Sequence, residues 1–435
     1  MAGLQRRSIP GIPDEVAKRG DLLTREEAVA VLGIKPQTLY CYVSRGFIRR
    51  VPQSDGRSSY YLREDVENVR AKSAARSGHG PAAASAMRWG EPVIATGITE
   101  ITGQGPRYRN RFATELAQSR YRFENIAEYL WGGDLAEEPV TWRRIGAPAG
   151  FARALAETSA LHPRPHLLQL LTIACTALGI AEGSRRERIQ SGATPVQAAR
   201  RLMRTLTGTF GFLGPLRAYV DLEDGEPMAE GLLRALGVSA GPEKTRALNA
   251  ALVLVADHEL NPATFAARIA ASASADLHCC IGAALHTQQG TLIGRACDRL
   301  EQVFAIPARS EQIVSRVRET LESGREVPGF NHRLYPHGDP RARMLIELAR
   351  ETGGANIGVR YMLESLTGVE EEFGLHPSIE CGLVFVARAM GLPGQVAGGI
   401  FALGRCAGWV AHVMEQRLAG FMIRPRALFA QAGSK

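Results

Sequence analysis

Aromatic residues are scarce in this sequence, and it has no long uninterrupted apolar run. Phe, Trp and Tyr make up 6% of the 435 residues, whereas Ala, Leu and Gly abound. This composition favours closely packed helices over sheets. No apolar run reaches the ~18 residues of a membrane helix, and the nearest candidate, 167–180, is expected to be a buried core helix. The sequence therefore predicts an all-α protein that does not enter a membrane.

Cysteine patterns that bind metals are also missing. The seven cysteines include the adjacent pair Cys279 and Cys280, but none has the CxxC or CxxH spacing that is typical of zinc sites. An odd number of cysteines without a secretory leader indicates reduced thiols. We therefore expect a cytoplasmic protein with no metal site.

The positive charge is concentrated at the N-terminal end. Residues 1–90 carry 15 Lys and Arg against 9 Asp and Glu, so +6 of the total formal charge of +8 lies on this segment. A basic segment attached to a nearly neutral body indicates an anionic partner for that segment alone.

This basic segment has the pattern of two short helices followed by a hairpin. Thr24 is followed three residues later by Glu27, which is typical of a helix capping box, and Gly33 is placed to end the helix. Pro36 suits the first turn of a second helix. A basic hairpin with its turn at 54–57 comes next. A winged helix-turn-helix is predicted.

The pattern resembles the winged helix-turn-helix modules of the MerR and excisionase type over about residues 20–72. In such modules the second helix enters the major groove and the wing contacts phosphates, which implies binding to duplex DNA. A docking module that keeps the shape but does not bind DNA is the alternative. A linker rich in Ala, Ser and Gly is predicted at 73–90. The candidates are Gln37, Thr38, Tyr42 and Arg45 for the groove-facing surface, and Arg49, Arg50 and Arg57 for the DNA backbone.

From residue 91 onward the apolar residues recur at helical spacing between turn signals. No strand pattern competes over long stretches, so we expect an all-α body over 91–435. The predicted helices include 123–133 with a glycine stop, 165–180, 195–207, 228–236 and 243–257.

The segment from Gly329 to Arg343 is the most informative part of the body. It places two histidines, three arginines and an aspartate among turn-forming residues, in a chain with only ten histidines. Such a concentration of charge and imidazole suits a pocket that holds a small polyanion and moves protons beside it. A polar connection between helices is the alternative.

This segment resembles the signature of the citrate synthase family, in His332-Arg-Leu-Tyr followed by Asp339-Pro-Arg-Ala. The likeness runs from about residue 91 to the C-terminus, and five motifs occur in the family's order. The other similar motifs are 256–265, Ala284-Leu285-His286, Gly404-Arg405 ahead of 408–412 with Glu415-Gln416, and 424–426.

The resemblance implies a homodimer whose subunits have a large helical part and a smaller one at roughly 255–365. The active site lies in the cleft between these parts in the family. The implied reaction condenses acetyl-CoA with oxaloacetate to give citrate and CoA, with acetyl-CoA as a substrate and no cofactor. A 2-methylcitrate relative that uses propionyl-CoA fits the same motifs, so the acyl group stays open.

The resemblance also assigns roles to six residues by their position in the motifs. Three are histidines: His286 matches the residue that supports the enol, His332 the donor to the oxaloacetate carbonyl, and His258 a further oxaloacetate ligand. Three are arginines that match the carboxylate clamps, where planar guanidinium groups suit bidentate pairing: Arg341, Arg405 and Arg424. The family's counterpart of Arg424 comes from the neighbouring subunit.

The catalytic carboxylate departs from the family pattern. The family has an aspartate eleven residues before a Gly-hydrophobic-Pro turn, and counting back from 391–393 reaches Glu380, one methylene longer. An alignment shifted by two residues would place Ser378 there and leave no base. Two further departures are 287–291 in place of a glycine-rich run and Asn331 in place of a glycine.

These departures leave two functions open. The first is a working enzyme in which Glu380 is the catalytic base. The second is a regulator whose enzyme-like body senses oxaloacetate or an acyl-CoA and alters DNA binding. The replacement of the base is conservative and a sensor would not need Glu380, so the sequence favours the enzyme.

Overall fold

The computed structural model divides the chain into two compact units. One unit contains the described residues up to Ala95 together with Arg424 and Pro425, and the other runs from Thr96 to Ile423. The predicted linker at 73–90 lies outside the described residues, and the predicted smaller part of the body at 255–365 stays a prediction. The described residues are 22–44, 47–52, 59–63, 65–67, 69–70, 94–183, 194–305 and 309–425.

The N-terminal unit contains two short helices and a small sheet. Thr24 caps the first helix, because its Oγ1 accepts from the Glu27 N–H while the Glu27 carboxylate accepts from the Thr24 N–H. Gly33 ends that helix in the left-handed region, at φ 63°. These contacts confirm the predicted helix-turn-helix. The elements are β1 (Leu22–Leu23), α1 (Arg25–Leu32), α2 (Pro36–Ser44), β2 (Arg50–Pro52) and β3 (Ser59–Leu62).

A small apolar core of its own stabilises this unit. The sheet is antiparallel in the order β1-β3-β2, and both helices pack against it. Side chains from the strands, the helices and the helical residues beyond β3 meet in the interior. The buried members are Leu23, Ala28, Leu39, Ile48, Tyr61, Val66 and Val69.

The body begins with a short antiparallel sheet that the helical pattern of the sequence did not predict. Its strands pair in chain order, and they are β4 (Thr99–Thr102), β5 (Gly105–Tyr108) and β6 (Arg111–Phe112). Tyr108 is buried, and its hydroxyl donates to Val253 O (2.9 Å). The sheet is thus anchored to the helices, which form the rest of the body and confirm the all-α class.

Several helices of the body begin at residues that are typical of helix N-termini. In three of them a polar N-cap is followed by proline: Thr194-Pro195, Asn261-Pro262 and Asp339-Pro340. The helices are α3 (Ala113–Gln118), α4 (Phe123–Gly132), α5 (Phe151–Ser159), α6 (Leu167–Glu182), α7 (Pro195–Thr209), α8 (Met228–Ala235), α9 (Pro242–Leu254), α10 (Pro262–Ser272), α11 (Leu277–Gln288), α12 (Ala296–Val303), α13 (Ser310–Glu322), α14 (Pro340–Gly353), α15 (Ile357–Phe373), α16 (Ile379–Ala389) and α17 (Val396–Ala419).

The last helix, α17, is the central element of the body. It is long and apolar enough to cross a membrane by length and composition, but nearly all of it is buried inside the fold, as in a core helix. Its glycines allow close backbone contact: a Cβ at Gly404 would lie 2.8 Å from Leu252 O, and one at Gly408 would lie 2.5 Å from Ala256 O. Helix α17 therefore lies directly against the end of α9 and the residues that follow it.

Candidate active site

Asp339 and Arg341 form a buried ion pair at the start of α14. Asp339 is the N-cap, and its Oδ1 accepts from the Arg341 N–H (3.0 Å). The same carboxylate accepts from Arg341 Nη2 (2.7 Å) and Nε (3.0 Å). Burial would lower the pKa of Arg341, but the Asp339 carboxylate outweighs it and raises that pKa. Arg341 Nη1 is buried without a hydrogen-bond partner among the described residues, so one donor is left for an anion.

His332 is an uncharged histidine that can donate a hydrogen bond. Its Nδ1 accepts from the Leu334 N–H (3.2 Å), so the ring proton is on Nε2. Burial, aided by the charge of Arg341, lowers the pKa of His332 to about 4. At neutral pH the ring is therefore uncharged, with Nε2–H free to donate to a carbonyl oxygen.

His258 lies beside His332 in the same pocket. The two ring centroids are 5.3 Å apart, and His258 Nε2 is 2.9 Å from the Tyr335 hydroxyl oxygen. The Tyr335 ring in turn lies 5.4 Å from the Arg341 guanidinium carbon. Burial and the charges of Arg341 and Arg405 lower the pKa of His258 well below its usual value, so this ring is also uncharged.

Arg405 is the second buried cation of the site. It projects from α17, and its Nε donates to Val255 O (2.8 Å). Its guanidinium carbon also lies 4.7 Å from the centre of the Phe401 ring. Burial lowers the pKa of Arg405, while the Asp257 carboxylate opposes the shift. An arginine keeps its proton at physiological pH, so Arg405 and Arg341 both supply cationic hydrogen-bond donors to the pocket.

Glu380 lies in the first turn of α16, next to these cations. It is half-buried, and its carboxylate accepts a hydrogen bond from its own backbone N–H, with no ion pair to the described residues. Burial raises its pKa above the usual value, even though Arg341 and Arg405 act in the opposite direction. A poorly hydrated carboxylate without an ion-pair partner is suited to accept a proton from a weak carbon acid.

Backbone hydrogen bonds hold the start of α16 beside the loop that carries His332. The Ser378 N–H donates to Gly329 O (2.8 Å), and the Asp339 N–H donates to Pro377 O (3.3 Å). Phe330 and Pro377 form an antiparallel bridge. These bonds fix the position of Glu380 relative to the loop, and the choice of Glu380 over Ser378, the N-cap of α16, stays a prediction.

Asn331 has the backbone conformation that a glycine adopts most easily. Its φ is 52°, in the left-handed region, which asparagine tolerates better than most residues. Its N–H donates to His376 O (2.8 Å), and its Oδ1 accepts from the His376 N–H (2.9 Å). The substitution is therefore accommodated without displacing the loop that carries His332.

Two of the predicted site residues, His286 and Arg424, are exposed in the structure. His286, in the last turn of α11, is exposed, and its side chain makes no hydrogen bond, ion pair or ring contact with the described residues. Gln289, in the altered run that follows, donates from Nε2 to Thr172 Oγ1 (2.9 Å). Arg424 is exposed and lies outside the unit that ends at Ile423. The predicted roles of His286 and Arg424 stay predictions.

Two residues of the pocket received no role from the sequence. Tyr335 bonds His258, and Asp339 neutralises part of the charge of Arg341. The signal for Asp339 was present, because an aspartate before a proline marks a helix start. Tyr335 stands in the His332-Arg-Leu-Tyr motif, but its contact with His258 is set by the fold. Among the residues that the structure describes, no group of three His, Cys, Asp or Glu side chains could hold a metal ion.

The predicted DNA-binding residues occupy different environments in the N-terminal unit. Gln37 and Arg50 are exposed and Thr38 is half-buried, whereas Arg45 and Arg57 lie outside the described residues. These positions leave the predicted contacts with DNA as predictions.

Two of these predictions fit the structure less well. Tyr42 is half-buried, packs against the core of the unit and has its ring edge on Phe47. Arg49 forms a bidentate ion pair with Asp65 (2.8 and 2.9 Å). Tyr40, which the sequence analysis did not select, is 45% exposed on α2 and suits a groove-facing surface better than Tyr42.

Comparison with known proteins gives the same division of the chain. The family model "Citrate synthase, C-terminal domain" matches residues 86–426, and the model "Helix-turn-helix domain" matches residues 22–73. Citrate synthase 2 of Bacillus subtilis is 33% identical over 208 residues, which cover 46% of this chain and 55% of that protein. The 2-methylcitrate synthase of Shewanella oneidensis is 26% identical over 351 residues, 78% of this chain and 91% of that protein.

Solved structures share the fold of the body. A ternary complex of citrate synthase from Thermoplasma acidophilum with carboxymethyl coenzyme A and oxaloacetate has a TM-score of 0.68 at 23% identity, covering 79% of this chain and 95% of that one. Citrate synthase from Thermotoga maritima has a TM-score of 0.65 at 21% identity, covering 80% and 95%. The chain spans about half the length of several curated relatives above 30% identity. Since the family model covers most of the chain, this protein belongs to the citrate synthase family and carries a helix-turn-helix domain ahead of its citrate synthase region.

Proposed function

We propose that the body is a citrate synthase-like acyltransferase that condenses acetyl-CoA with oxaloacetate to give citrate and CoA. One observation carries the proposal: a pocket combines two uncharged histidines, two buried arginines and a carboxylate with a raised pKa. Membership of the family supports the same reaction. These residues are His258, His332, Arg341, Arg405 and Glu380.

The arginines are suited to bind the two carboxylates of oxaloacetate. Arg341 keeps a buried Nη1 without a partner, and Arg405 is bonded only through its Nε, in both cases as far as the described residues are concerned. Planar guanidinium donors in a poorly hydrated pocket bind carboxylates with charge-assisted hydrogen bonds. Arg424 of a second subunit is the proposed third clamp.

In the proposed reaction Glu380 takes a proton from the methyl group of the acetyl thioester. Such a proton is weakly acidic, so the developing enolate oxygen needs a donor, for which we propose His286. The enol carbon then attacks the ketone carbon of oxaloacetate, while His332 Nε2–H donates to the carbonyl oxygen. Water hydrolyses the resulting thioester and releases citrate and CoA. The proton transfers use side chains alone, and we propose that no cofactor takes part.

We also propose that the active form is a homodimer in the cytoplasm. Helix α6 leaves Thr176 and Ile180 exposed at helical spacing. Ile180 is 78% exposed in the single chain, which suits burial against a second copy.

The closure of two helical parts on the substrates would bring the exposed His286 to the thioester.

The direct test is thiol release by the full-length protein. We expect free CoA to appear only when acetyl-CoA and oxaloacetate are both present, and citrate to form in equal amount. Propionyl-CoA should be assayed in parallel, because one relative is a 2-methylcitrate synthase. Absence of thiol release with either thioester, in a protein that is folded and dimeric, would overturn the proposal.

The second candidate function is a regulator that senses oxaloacetate or an acyl-CoA and changes its binding to DNA. The helix-turn-helix match at 22–73 and the basic charge of this segment favour it. The two functions differ in one measurement, because a sensor binds oxaloacetate without releasing CoA. A protein that binds oxaloacetate in calorimetry but releases no thiol would favour the regulator.

A further inference from the structure

A row of contacts on one face of α17 holds the segment that leads to His258. Arg405 Nε donates to Val255 O (2.8 Å), and the Gly408 N–H donates to Ala256 O (2.9 Å). His412 Nε2 lies 3.3 Å from Asp257 Oδ2. The three α17 residues are spaced by three and four positions, so they share one helix face. Successive residues of the segment are therefore bonded to successive turns of α17.

The hydrogen bonds of His412 fix which of its nitrogens carries the proton. His412 Nδ1 lies 3.1 Å from Arg268 Nη1. A guanidinium can only donate, so Nδ1 must accept and the ring proton must be on Nε2. Nε2–H then donates to Asp257 Oδ2. His412 thus connects a buried cation to a buried carboxylate.

Arg268 is itself fixed by carboxylate and amide groups on the same helix. Its Nη1 donates to Glu415 Oε2 (2.5 Å) and its Nε to Gln416 Oε1 (3.0 Å). Glu415 Oε1 accepts from the Gly97 N–H (2.7 Å). Burial would raise the pKa of Glu415, but the Gly97 N–H and the Arg268 guanidinium hold it below its usual value.

This series of buried polar contacts lowers the free energy of unfolding, and it ends next to the candidate site. One Arg268 nitrogen is buried without a hydrogen-bond partner among the described residues, which is unfavourable for folding. Asp257 Oδ2 also accepts from the Glu259 N–H (3.2 Å), and Glu259 has φ 56° in the left-handed region. The Asp257 carboxylate therefore supports the strained turn that contains His258.

We propose that His412 is a positioning residue for oxaloacetate. Its hydrogen bond holds Asp257 against α17 at a position two turns along the helix from Arg405. This contact sets the distance between His258 and Arg405. Both of these residues face the proposed oxaloacetate pocket, whereas His412 does not touch the ligand. The inference rests on the proposed function, since it assigns these contacts to the pocket that is proposed to bind oxaloacetate.

The test compares His412→Leu with His412→Gln in the full-length protein. We expect His412→Leu to raise the oxaloacetate Kd and KM on the order of tenfold, the effect of one buried hydrogen bond. The KM for acetyl-CoA and kcat at saturating oxaloacetate should change by less than about twofold. Gln keeps an amide donor and an acceptor, so His412→Gln should recover most of the affinity.

A matched control is His278→Leu. His278 is a buried histidine on α11 whose Nε2 lies 3.4 Å from the Glu182 carboxylate, and it belongs to no part of the proposed site. We expect it to lower the Tm without changing the oxaloacetate KM. If His412→Leu does not fold, Glu415→Gln provides the same test from a partly exposed position, with a smaller rise in KM.

The outcomes separate this inference from the proposed function. Failure of the wild-type protein to bind oxaloacetate in calorimetry would overturn the proposed function. Wild-type binding together with an unchanged oxaloacetate KM in folded His412→Leu, or in Glu415→Gln if the former does not fold, would overturn the positioning role. A selective rise in oxaloacetate KM with recovery in His412→Gln would support it.

Discussion

His258 Nε2 lies 2.9 Å from the Tyr335 hydroxyl oxygen, although the two residues are 77 positions apart in the chain. This contact joins the turn that follows α9 to the loop that precedes α14. It also fixes the orientation of the His258 ring, which is uncharged and faces His332 at 5.3 Å between ring centroids. The Tyr335 hydroxyl is therefore expected to contribute to oxaloacetate binding without touching the substrate.

Tyr335→Phe tests this contribution. The variant keeps the ring beside Arg341 and removes only the hydroxyl, so we expect oxaloacetate affinity to fall roughly fivefold, the value of one hydrogen bond of about 1 kcal/mol. Calorimetry with oxaloacetate measures the change. Tyr219→Phe is the matched control, because the Tyr219 hydroxyl bonds Asp221 (3.3 Å) away from the candidate site. Equal affinity in both variants would show that the His258–Tyr335 contact does not orient the ligand site.

Glu380→Gln is expected to abolish condensation and to leave oxaloacetate binding within a few-fold. The amide keeps the shape of the side chain but cannot accept the methyl proton, and the arginine clamps are unchanged. Thiol release and calorimetry measure the two effects separately. Wild-type turnover in this variant would show that Glu380 is not the base.

Glu380→Asp restores the shorter carboxylate of the family. If the extra methylene misplaces the native base, the thiol-release rate should rise, since a displacement of ~1 Å can cost on the order of a hundredfold. A lower rate would instead show that the surrounding pocket is adapted to glutamate.

Replacing Arg405 or Arg424 by Leu is expected to weaken oxaloacetate binding strongly. Each replacement removes a charge-assisted hydrogen bond to a desolvated carboxylate, worth ~1.5–3 kcal/mol. Calorimetry with each variant measures the loss, and gel filtration should be run beside it because Arg424 is proposed to act across a dimer. Unchanged affinity in both variants would remove the assignment of this pocket to oxaloacetate, and with it both candidate functions.

The pKa of Glu380 predicts a pH-dependent effect on stability. Burial raises this pKa above its unfolded value, so the folded state binds the proton more tightly than the unfolded state does. The stability linked to Glu380 is then fully present at pH values below its unfolded pKa and is lost as the pH rises through the folded pKa. We expect Glu380→Gln to have a higher Tm than the wild type at pH 7 and a smaller advantage near pH 4. A lower Tm at pH 7 would contradict the unfavourable burial of this carboxylate.

The helix-turn-helix unit is expected to bind duplex DNA in a salt-dependent manner. Arg50 and Gln37 are exposed, and phosphate contacts release counterions, so the affinity of the full-length protein should fall steeply with salt. A fragment that ends near residue 75 should fold alone and bind more weakly, because a dimer can occupy two half-sites. Gel-shift titration measures both. No binding to random duplex at low salt would leave this unit as a protein-docking module.

The same titration with oxaloacetate or acetyl-CoA separates the enzyme from the regulator. If either ligand changes DNA affinity, DNA must change the affinity for that ligand by the same factor. DNA binding that no ligand alters would leave the two parts as independent neighbours on one chain.

The sequence by itself determined most of the helices and most of the chemistry-bearing positions, but not the short sheet at 99–112. The capping box of Thr24 and Glu27, the Asp339-Pro340 helix start and the periodic apolar residues act over a few positions, so they can be predicted without a fold. The order of the motifs also identified His258, His332, Arg341 and Arg405, which the structure brings together.

Only the tertiary structure decided how these residues are paired and charged. Asp339 engages most of the Arg341 guanidinium, and His412 contacts Asp257 across 155 positions of the chain. Among the predicted DNA contacts, Tyr42 packs against the core and Arg49 pairs with Asp65. Burial and contacts between distant segments set these environments. Local sequence patterns carry no information about them, because a pKa or a hydrogen-bond partner depends on what the fold places within a few ångströms.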